Sequence, residues 1–265
     1  MSGAAQGIGL FGAMRIQAQV IGALVIREMH TRYGRENIGY VWLFIEPMIL
    51  AAAIGLLHSL SGHGLPGGLP TFAFYVVGYT PFYLLRAVLN RAAGSVVQNA
   101  PLFYHSRVTV TDVVVARSLL EGAAVMVAMA VFITGIGIVT GEWPHDWVLM
   151  ALGVVSLLAL CHGAALIILS LTVLGEQNVE RIVHPYTYLS IPMSGAFVMV
   201  WWLPYELHWW ATIYPTVHSF EMTRAGYFGP VVPYHYDVPY LLASIVILNV
   251  LGLLALRVAR PHLEA

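Results

Sequence analysis

Residues 113–140 read VVVARSLLEGAAVMVAMAVFITGIGIVT, and Arg117 and Glu121 are the only charged residues among them. A helix of about 20 mostly apolar residues crosses the hydrocarbon core of a bilayer. Residues 113–140 therefore predict a transmembrane helix that is longer than the core requires and must tilt or project beyond it. Five further apolar stretches predict spans of the same kind: 40–60, 72–89, 147–174, 185–203 and 238–256.

The composition of the whole chain is that of a membrane protein. The sequence is 59% hydrophobic and 9% charged, whereas soluble domains are about a quarter charged. We expect an all-α integral membrane fold with six transmembrane helices. Residues 1–265 would form a single domain, and residues 40–257 would form its six-span bundle. Pro185, Pro192 and Ser194 interrupt the fifth predicted span.

The basic residues are distributed asymmetrically about the predicted spans. All twelve are arginine, and only Arg224 lies on the side opposite the others. The eleven that share one side are Arg15, Arg27, Arg32, Arg35, Arg86, Arg91, Arg107, Arg117, Arg181, Arg257 and Arg260. Because basic residues concentrate on the cytoplasmic side of membrane proteins, this pattern predicts that both termini are cytoplasmic.

The absence of lysine excludes several kinds of site. A phosphate-binding P-loop uses a lysine to reach the nucleotide, and a Schiff-base cofactor requires an amine. The chain therefore cannot be a complete ATPase. Its single cysteine, Cys161, excludes an intrachain disulfide. The histidines form no HExxH motif and no Cys/His spacing typical of a metal site. We expect no catalytic residue, metal or cofactor in this chain.

An amphipathic helix is predicted before the first span, over residues 14–37. Its apolar positions recur at helical spacing, and Arg15, Arg27 and His30 lie away from them. The apolar stripe consists of Val20, Ile21, Leu24, Val25 and Met29. Such a helix lies in the membrane interface with its arginines directed toward anionic headgroups.

The connection before the last span, residues 201–237, is long and contains eleven aromatic residues. We expect re-entrant helices there, because tryptophan and tyrosine favour the membrane interface. His218, Glu221 and Arg224 recur every third residue and so share one helix face. This face is either solvated, with a local Glu221–Arg224 pair, or it lines an exit path. In the second interpretation the path is bordered by four aromatic side chains: Trp201, Trp202, Trp209 and Trp210.

Short motifs in a fixed order resemble one family of membrane proteins. They are Arg27-Glu28-Met29-His30-Thr31-Arg32-Tyr33-Gly34, Gly39-Tyr40-Val41-Trp42, Glu46-Pro47, then Pro101, Val108, Asp112, Arg117 and Glu121, then Ile191-Pro192-Met193-Ser194-Gly195, and finally Pro215, His218, Glu221 and Arg224. The chain resembles the membrane subunits of ATP-binding-cassette type-2 exporters, specifically capsular polysaccharide export permeases. His30 and Tyr214 depart from the family pattern, which often has lysine and asparagine there.

The resemblance implies a homodimer in the bacterial inner membrane, bound to two copies of a nucleotide-binding ATPase subunit that holds ATP and Mg. The substrate would be a lipid-linked polysaccharide rather than a nucleic acid. A periplasmic polysaccharide co-polymerase and an outer-membrane export protein would act further along its route.

The resemblance implies roles for two groups of residues. The connection over residues 86–112 would dock on the ATPase, and its coupling residues would be Arg91, Pro101, Phe103, Tyr104 and Arg107. The entrance to the substrate path would use Arg27, Arg32, Tyr33, Tyr40, Trp42 and Glu46, and its exit would use the outer residues named above. Arg117 and Glu121 are four residues apart on one helix face and are interpreted as a structural pair, with substrate contact as the alternative.

Other functions remain open on the sequence alone. Export of O-antigen or teichoic acid would use the same architecture. A membrane-embedded enzyme that modifies polysaccharide is the alternative of another class. An intramembrane serine protease is disfavoured, because Pro192 replaces the first glycine of the Gly-x-Ser-Gly motif that would include Ser194.

Overall fold

The computed structural model describes residues 10–33, 37–95, 98–99, 108–175 and 178–263. Within these ranges the regular structure is helical, without a β-strand. The α-helices are α1 Leu10–Tyr33, α2 Asn37–Leu60, α3 Thr71–Ala92, α4 Val110–Thr140, α5 Trp147–Val173, α6 Val179–Met193, α7 Tyr205–Thr212, α8 Pro215–Phe228 and α9 Val238–Ala259. Short 3₁₀ turns occupy Pro66–Gly68, Val200–Trp202 and Arg260–Leu263.

Five helical segments in the described part of the chain are long and apolar enough to cross a membrane. They are Val41–Leu60, Thr71–Ala92, Val110–Thr140, Trp147–Val173 and Val238–His262. They correspond to α2, α3, α4, α5 and α9, so five of the predicted spans are confirmed as helices capable of crossing.

The region of the fifth predicted span, 185–203, folds differently from the expected single helix. Here α6 covers only Val179–Met193, and both Pro185 and Pro192 lie inside it. At 1.5 Å per residue its 15 residues extend about 22 Å, less than the roughly 30 Å of the hydrocarbon core. Non-helical backbone follows from Ser194 to Met199. The six-span count therefore stays a prediction.

Helix α3 forms the centre of the bundle. In its most apolar window 89% of the residues are buried, against 22% for α2 and 17% for the α9 segment. Its side chains pack against α2, α4, α5, α6 and α8. The interior of one chain is therefore filled, while α2 and α9 direct many apolar side chains outward.

Small residues allow α9 to approach α5 closely. A Cβ atom added at Gly163 of α5 would lie 2.8 Å from the backbone nitrogen of Asn249. One added at Gly252 of α9 would lie 2.9 Å from the carbonyl oxygen of Gly163. The Asn249 amide also donates to the carbonyl of Ala159, at 2.9 Å. Close packing through small residues and an interhelical hydrogen bond is typical of membrane helix pairs.

Helix α1 packs along the start of α4. Its predicted apolar stripe contacts this helix, with Leu24 buried against Val113 and Ala116. The opposite side of α1 also exposes apolar side chains, among them Phe11 and Ile26. The end of the bundle that carries α1 and the C-terminal end of α3 is called the basic end below, and the end that carries α7 and α8 is called the aromatic end.

Capping side chains determine where the long helices begin. Thr109 and Asp112 form a reciprocal capping box at the start of α4, which satisfies two free backbone donors. Asp146 accepts from the backbone nitrogen of Leu149 at the start of α5, at 2.9 Å. The tight turn before α5 is attached to α8, because the Asp146 nitrogen donates to the carbonyl of Gly226 at 2.7 Å. This attachment fixes the position of α8 at the aromatic end.

Candidate functional site

Several predicted site residues lie outside the part of the chain that the structure describes. These are the coupling residues Pro101, Phe103, Tyr104 and Arg107, and the side chains of Arg32, Tyr33 and Tyr40. Their assigned roles stay predictions. Most of the remaining predicted residues fall into a network at the basic end and a buried cluster with aromatic surroundings at the aromatic end.

Arg117 is the centre of the polar network at the basic end. It is buried, and its Nε atom lies 2.9 Å from a carboxylate oxygen of Glu28 in α1. Its Nη1 atom donates to the hydroxyl of Ser95 at 2.7 Å and to the carbonyl of Arg91 at 3.2 Å. Its Nη2 atom donates to the side-chain carbonyl of Gln98 at 2.7 Å. Arg117 thus joins α1, α4 and the segment that follows α3.

Three further contacts lie at the same end of the bundle. Arg91 forms an ion pair with the buried Glu121, and Gln17 of α1 donates to Asp112, the capping residue of α4. Arg27 donates to the side-chain carbonyl of Asn99 at 2.5 Å. We call the connected set Glu28, Arg91, Ser95, Gln98, Arg117 and Glu121 the arginine network.

The structure adds partners that the sequence interpretation of Arg117 and Glu121 as a structural pair did not include. The structure connects Arg117 to Glu28 and Glu121 to Arg91, so each has an ion-pair partner on another helix. Spacing along one helix identifies the shared face but not the charges that neighbouring helices bring to it. The structural role stays a prediction, and Glu28, which had no separate role in the sequence interpretation, belongs to the same network.

At the aromatic end Arg224 is fully buried in α8. Its Nη1 atom donates to the carbonyl of Gly195 at 2.5 Å, and its Nη2 atom donates to the carbonyl of Ala196. The guanidinium carbon lies 4.2 Å from the centre of the Phe74 ring, within the range of a cation–π contact. The arginine therefore holds the non-helical backbone after α6 against α3 and α8.

Glu221 and His218 likewise form hydrogen bonds with backbone atoms of other segments. The Glu221 carboxylate accepts from the nitrogen of Val200 at 3.0 Å and from that of His235 at 3.1 Å. The His218 Nδ1 atom accepts from the nitrogen of Asp237 at 2.9 Å, so Nε2 carries the proton that it donates to the carbonyl of Thr212, at 2.8 Å. We call His218, Glu221 and Arg224 the buried triad.

The electrostatics of the buried triad keep its arginine charged at neutral pH. Burial lowers the pKa of Arg224 to about 10, and the nearby Glu221 carboxylate opposes this shift. Burial also raises the pKa of the Tyr234 hydroxyl to about 12, with Glu221 acting in the same direction. A buried charge with several fixed hydrogen bonds to the backbone indicates a structural role.

The buried triad shares one face of α8, as its spacing predicts, but in this conformation that face contacts protein. All three side chains are buried and bonded mainly to backbone atoms, so they border no open passage in the single chain. The solvated-face interpretation is wrong for the same reason. Their role in an exit path stays a prediction, and it requires a different conformation or a second subunit.

Gly78 of α3 is a residue that the sequence analysis did not single out. A Cβ atom at this position would overlap the carbonyl oxygen of Ala196 and lie 2.8 Å from Nη2 of Arg224. Gly195 has φ +85, a conformation that favours glycine. The signal available in the sequence was a glycine inside the apolar stretch 72–89, which often marks a close approach of backbones.

The four predicted tryptophans form two pairs with different surroundings. Trp202 is half-buried and stacks on Phe74 with the ring centres 4.9 Å apart, and Trp201 meets it edge to face. Trp209 and Trp210 of α7 are 62% and 69% exposed. The first pair therefore packs around the buried triad, while the second pair forms an exposed aromatic surface.

The entrance residues of α2 also differ from each other in their surroundings. Trp42 is exposed. Glu46 is half-buried and interacts electrostatically with Tyr79 and Tyr83 of α3. Among the described residues, no group of three His, Cys, Asp or Glu side chains could hold a metal ion.

Comparison with known proteins shows which family this chain belongs to. A family model described as "ABC-2 type transporter" matches residues 19–228. The chain belongs to the ABC-2 transporter family. The matched region contains the whole arginine network and the whole buried triad. Membership identifies the chain as a membrane transport subunit, and it implies that nucleotide binding is carried by a partner ATPase subunit.

Individual relatives agree with this family assignment. The chain is 36% identical, over 91% of each chain, to the capsule polysaccharide export inner-membrane protein CtrC of Neisseria meningitidis serogroup B. It is 33% identical, over 92% of each chain, to the capsule polysaccharide export inner-membrane protein BexB of Haemophilus influenzae. It is 30% identical over 131 residues, about half of each chain, to the polysialic acid transport protein KpsM of Escherichia coli.

Proposed function

We propose that this chain is the membrane subunit of an ATP-driven exporter that moves lipid-linked capsular polysaccharide from the cytoplasm across the bacterial inner membrane. The observation that carries this proposal is the similarity to capsule export proteins, which extends over more than nine-tenths of both chains. The chain would act as a homodimer with two copies of a separate ATPase subunit. A periplasmic co-polymerase and an outer-membrane export protein would receive the polymer.

The need for a separate ATPase is supported by the sequence itself. The chain has no lysine that could complete a P-loop. Its basic end would face the cytoplasm, because the concentration of arginine there matches the positive-inside rule. The segment after α3 would carry residues 100–107 to the ATPase surface.

A path between two copies of the chain is supported by how one copy is packed. In the part of the chain that the structure describes, α3 fills the centre of the single bundle, so a polymer-wide route would lie between two copies. Two helices, α2 and α9, expose long apolar faces. A homodimer would cover part of that surface and form the route along the subunit boundary.

The arginine network would transmit movement of the ATPase subunit to helices α1 and α4. It binds α1 and α4 to Ser95 and Gln98, which lie within the predicted docking connection, residues 86–112. Buried charge-assisted hydrogen bonds resist separation more strongly than neutral ones. When nucleotide binding displaces the docking segment, α1 and α4 would therefore move with it as one unit.

The ATPase partnership is tested by purification of the tagged chain from its native membrane. We expect a nucleotide-binding subunit to co-purify, and ATP hydrolysis in the complex to be abolished by a substitution in that subunit's P-loop. The chain purified alone, after removal of the partner, serves as the control and should hydrolyse no ATP. An active exporter reconstituted from this chain without any ATPase would contradict the proposal.

A further inference from the structure

Arg86 is a charged residue inside a helix that is long and apolar enough to cross a membrane. It lies in α3, six residues before Ala92, the last residue of that helix, and so about 9 Å from its end. The ion pairs found in the described part of the chain involve Arg91 with Glu121 and Arg117 with Glu28, and none involves Arg86. A cation at this depth is costly without an anionic partner, and such residues are usually functional.

The immediate contacts of Arg86 leave hydrogen-bonding capacity unused. Its Nη2 atom donates a long hydrogen bond of 3.4 Å to the hydroxyl of Tyr188 in α6, and its guanidinium carbon lies 5.0 Å from the centre of that ring. Its Nε atom is buried without a hydrogen-bond partner. The hydroxyl of Tyr79, two helical turns earlier on the same face of α3, interacts with the guanidinium.

The surroundings of Arg86 open toward the surface of the bundle. Arg86 is half-buried and Tyr188 is 56% exposed. Glu46 of α2 interacts with Tyr79 and Tyr83 nearby but forms no ion pair with Arg86. The result is a half-buried guanidinium without an ion pair beside an exposed aromatic ring, on the face that α3 and α6 share.

Three other arginines at polar positions are each bound to fixed protein groups, although the buried Nε of Arg224 also has no hydrogen-bond partner. Arg224 binds two backbone carbonyls and the Phe74 ring, and Arg117 binds Glu28 together with three uncharged groups. Arg27 is bonded to Asn99. Arg86 differs from these three because its terminal nitrogens make one long hydrogen bond, of 3.4 Å, to an exposed aromatic side chain, Tyr188. Arg86 is therefore suited to bind an anionic group that the chain does not provide.

We infer that Arg86 and Tyr188 form an anion-binding subsite for the exported molecule, within the membrane and on the α3–α6 face. The ligand group is a phosphate or a carboxylate, both of which a guanidinium can bind through two parallel hydrogen bonds. The Tyr188 ring would pack against the apolar face of an adjoining sugar. The inference rests on the proposed function, because that function supplies a lipid-linked polysaccharide as the ligand.

The first test uses export in cells that lack the chromosomal gene. Wild-type, R86Q and R86K genes are returned to this strain, with R257Q as the control because Arg257 is an exposed arginine near the end of α9. We expect R86Q to lower surface polysaccharide about tenfold, in line with the loss of one charge-assisted contact. R86K should retain an intermediate level, and R257Q should match the wild type.

Protein level and assembly separate a binding defect from a folding defect. The variants are compared at equal amounts in the membrane and with equal recovery of the ATPase subunit. Wild-type export from R86Q at equal expression would overturn the inference. Failure of the wild-type gene to restore surface polymer would instead overturn the proposed export function. The two failures are therefore distinguishable.

The second test identifies the source of the anion. The purified complex in nanodiscs is exposed to phosphatidic acid carrying a photoreactive acyl chain, with photoreactive diacylglycerol as the uncharged control. Labelling of α3 or α6 by phosphatidic acid that falls about tenfold in R86Q supports a lipid phosphate. Calorimetric binding of soluble N-acetylneuraminic acid that R86Q removes supports a sugar carboxylate. Equal labelling and no sugar binding would overturn the subsite, as would conversion of R86Q from dimer to monomer, which would assign Arg86 to a contact between copies.

Discussion

Replacing Arg224 with methionine should leave little correctly folded protein in the membrane. The substitution removes the hydrogen bonds to the carbonyls of Gly195 and Ala196 and the contact with Phe74, and it leaves the buried Glu221 carboxylate without its nearby positive charge. Breaking a buried charge arrangement in this way costs about 3–5 kcal/mol, a large part of the roughly 5–15 kcal/mol that stabilises a typical fold. The thermal midpoint and monodisperse yield in detergent measure the loss.

The control for this prediction is R257M, which removes an exposed arginine without disturbing buried contacts. Its thermal midpoint should equal that of the wild type. Glu221→Gln should be less harmful than R224M, because one amide oxygen can still accept from the nitrogen of Val200 or His235. If R224M were as stable as the wild type but failed to export, the exit-path role would be favoured and the structural role of the buried triad would be wrong.

Replacing Arg117 with glutamine should separate ATP hydrolysis from export. The change removes the ion pair with Glu28 and weakens the hydrogen bonds to Ser95 and Gln98. Because these contacts join the docking segment to α1 and α4, ATPase movement would no longer reach the bundle. We expect surface polysaccharide to fall about tenfold or more, while the reconstituted complex continues to hydrolyse ATP. The measured quantity is polymer exported per ATP hydrolysed.

A matched substitution and a double variant make this prediction specific. R181Q changes an arginine whose hydrogen bond to Asn178 is exposed, and its export should equal that of the wild type. Glu28→Gln alone should reproduce much of the R117Q defect, and the double variant should be little worse than either single change, since interacting residues are non-additive. A full sum of two independent defects, or an unchanged ratio of export to hydrolysis in R117Q, would contradict the coupling role.

The helices with uniform apolar sequence were predictable to within a few residues. Residues 113–140 correspond to Val110–Thr140, and residues 147–174 correspond to Trp147–Val173. Hydrophobicity alone identifies such helices, because every backbone polar group must be satisfied inside the bilayer. The earlier start of α4 comes from the Thr109–Asp112 capping box, a signal that was legible in the sequence.

The region after α5 was less predictable because competing signals overlap there. Its apolar composition favours a span, but Pro185 and Pro192 remove backbone donors from any helix, and Gly195 introduces a backbone turn with positive φ. In the structure this region forms the short helix α6, followed by an irregular segment that is hydrogen-bonded to Arg224. Sequence spacing cannot reveal that an arginine 28 residues away binds the Ala196 carbonyl.

The sequence predicted several members of the polar clusters but not the partners that each of them contacts. Arg117, Glu121, Glu221 and Arg224 were all identified as residues with a role, because ionisable groups near membrane spans are costly. Their partners come from other helices and from backbone atoms distant in sequence. Arg86 was grouped with the connection after the second span, whereas the structure places it within α3. Only the packed structure shows that Arg86 forms no ion pair and lies beside the exposed Tyr188 ring.

The central claim is that this chain carries capsular polysaccharide out of the cytoplasm. It is tested most directly by deleting the gene and fractionating cell polysaccharide into cytoplasmic and surface pools. The account predicts that polymer accumulates inside, that surface polymer is lost, and that the intact gene restores the surface pool while R117Q does not. Unchanged surface polymer in the deletion strain would contradict the account.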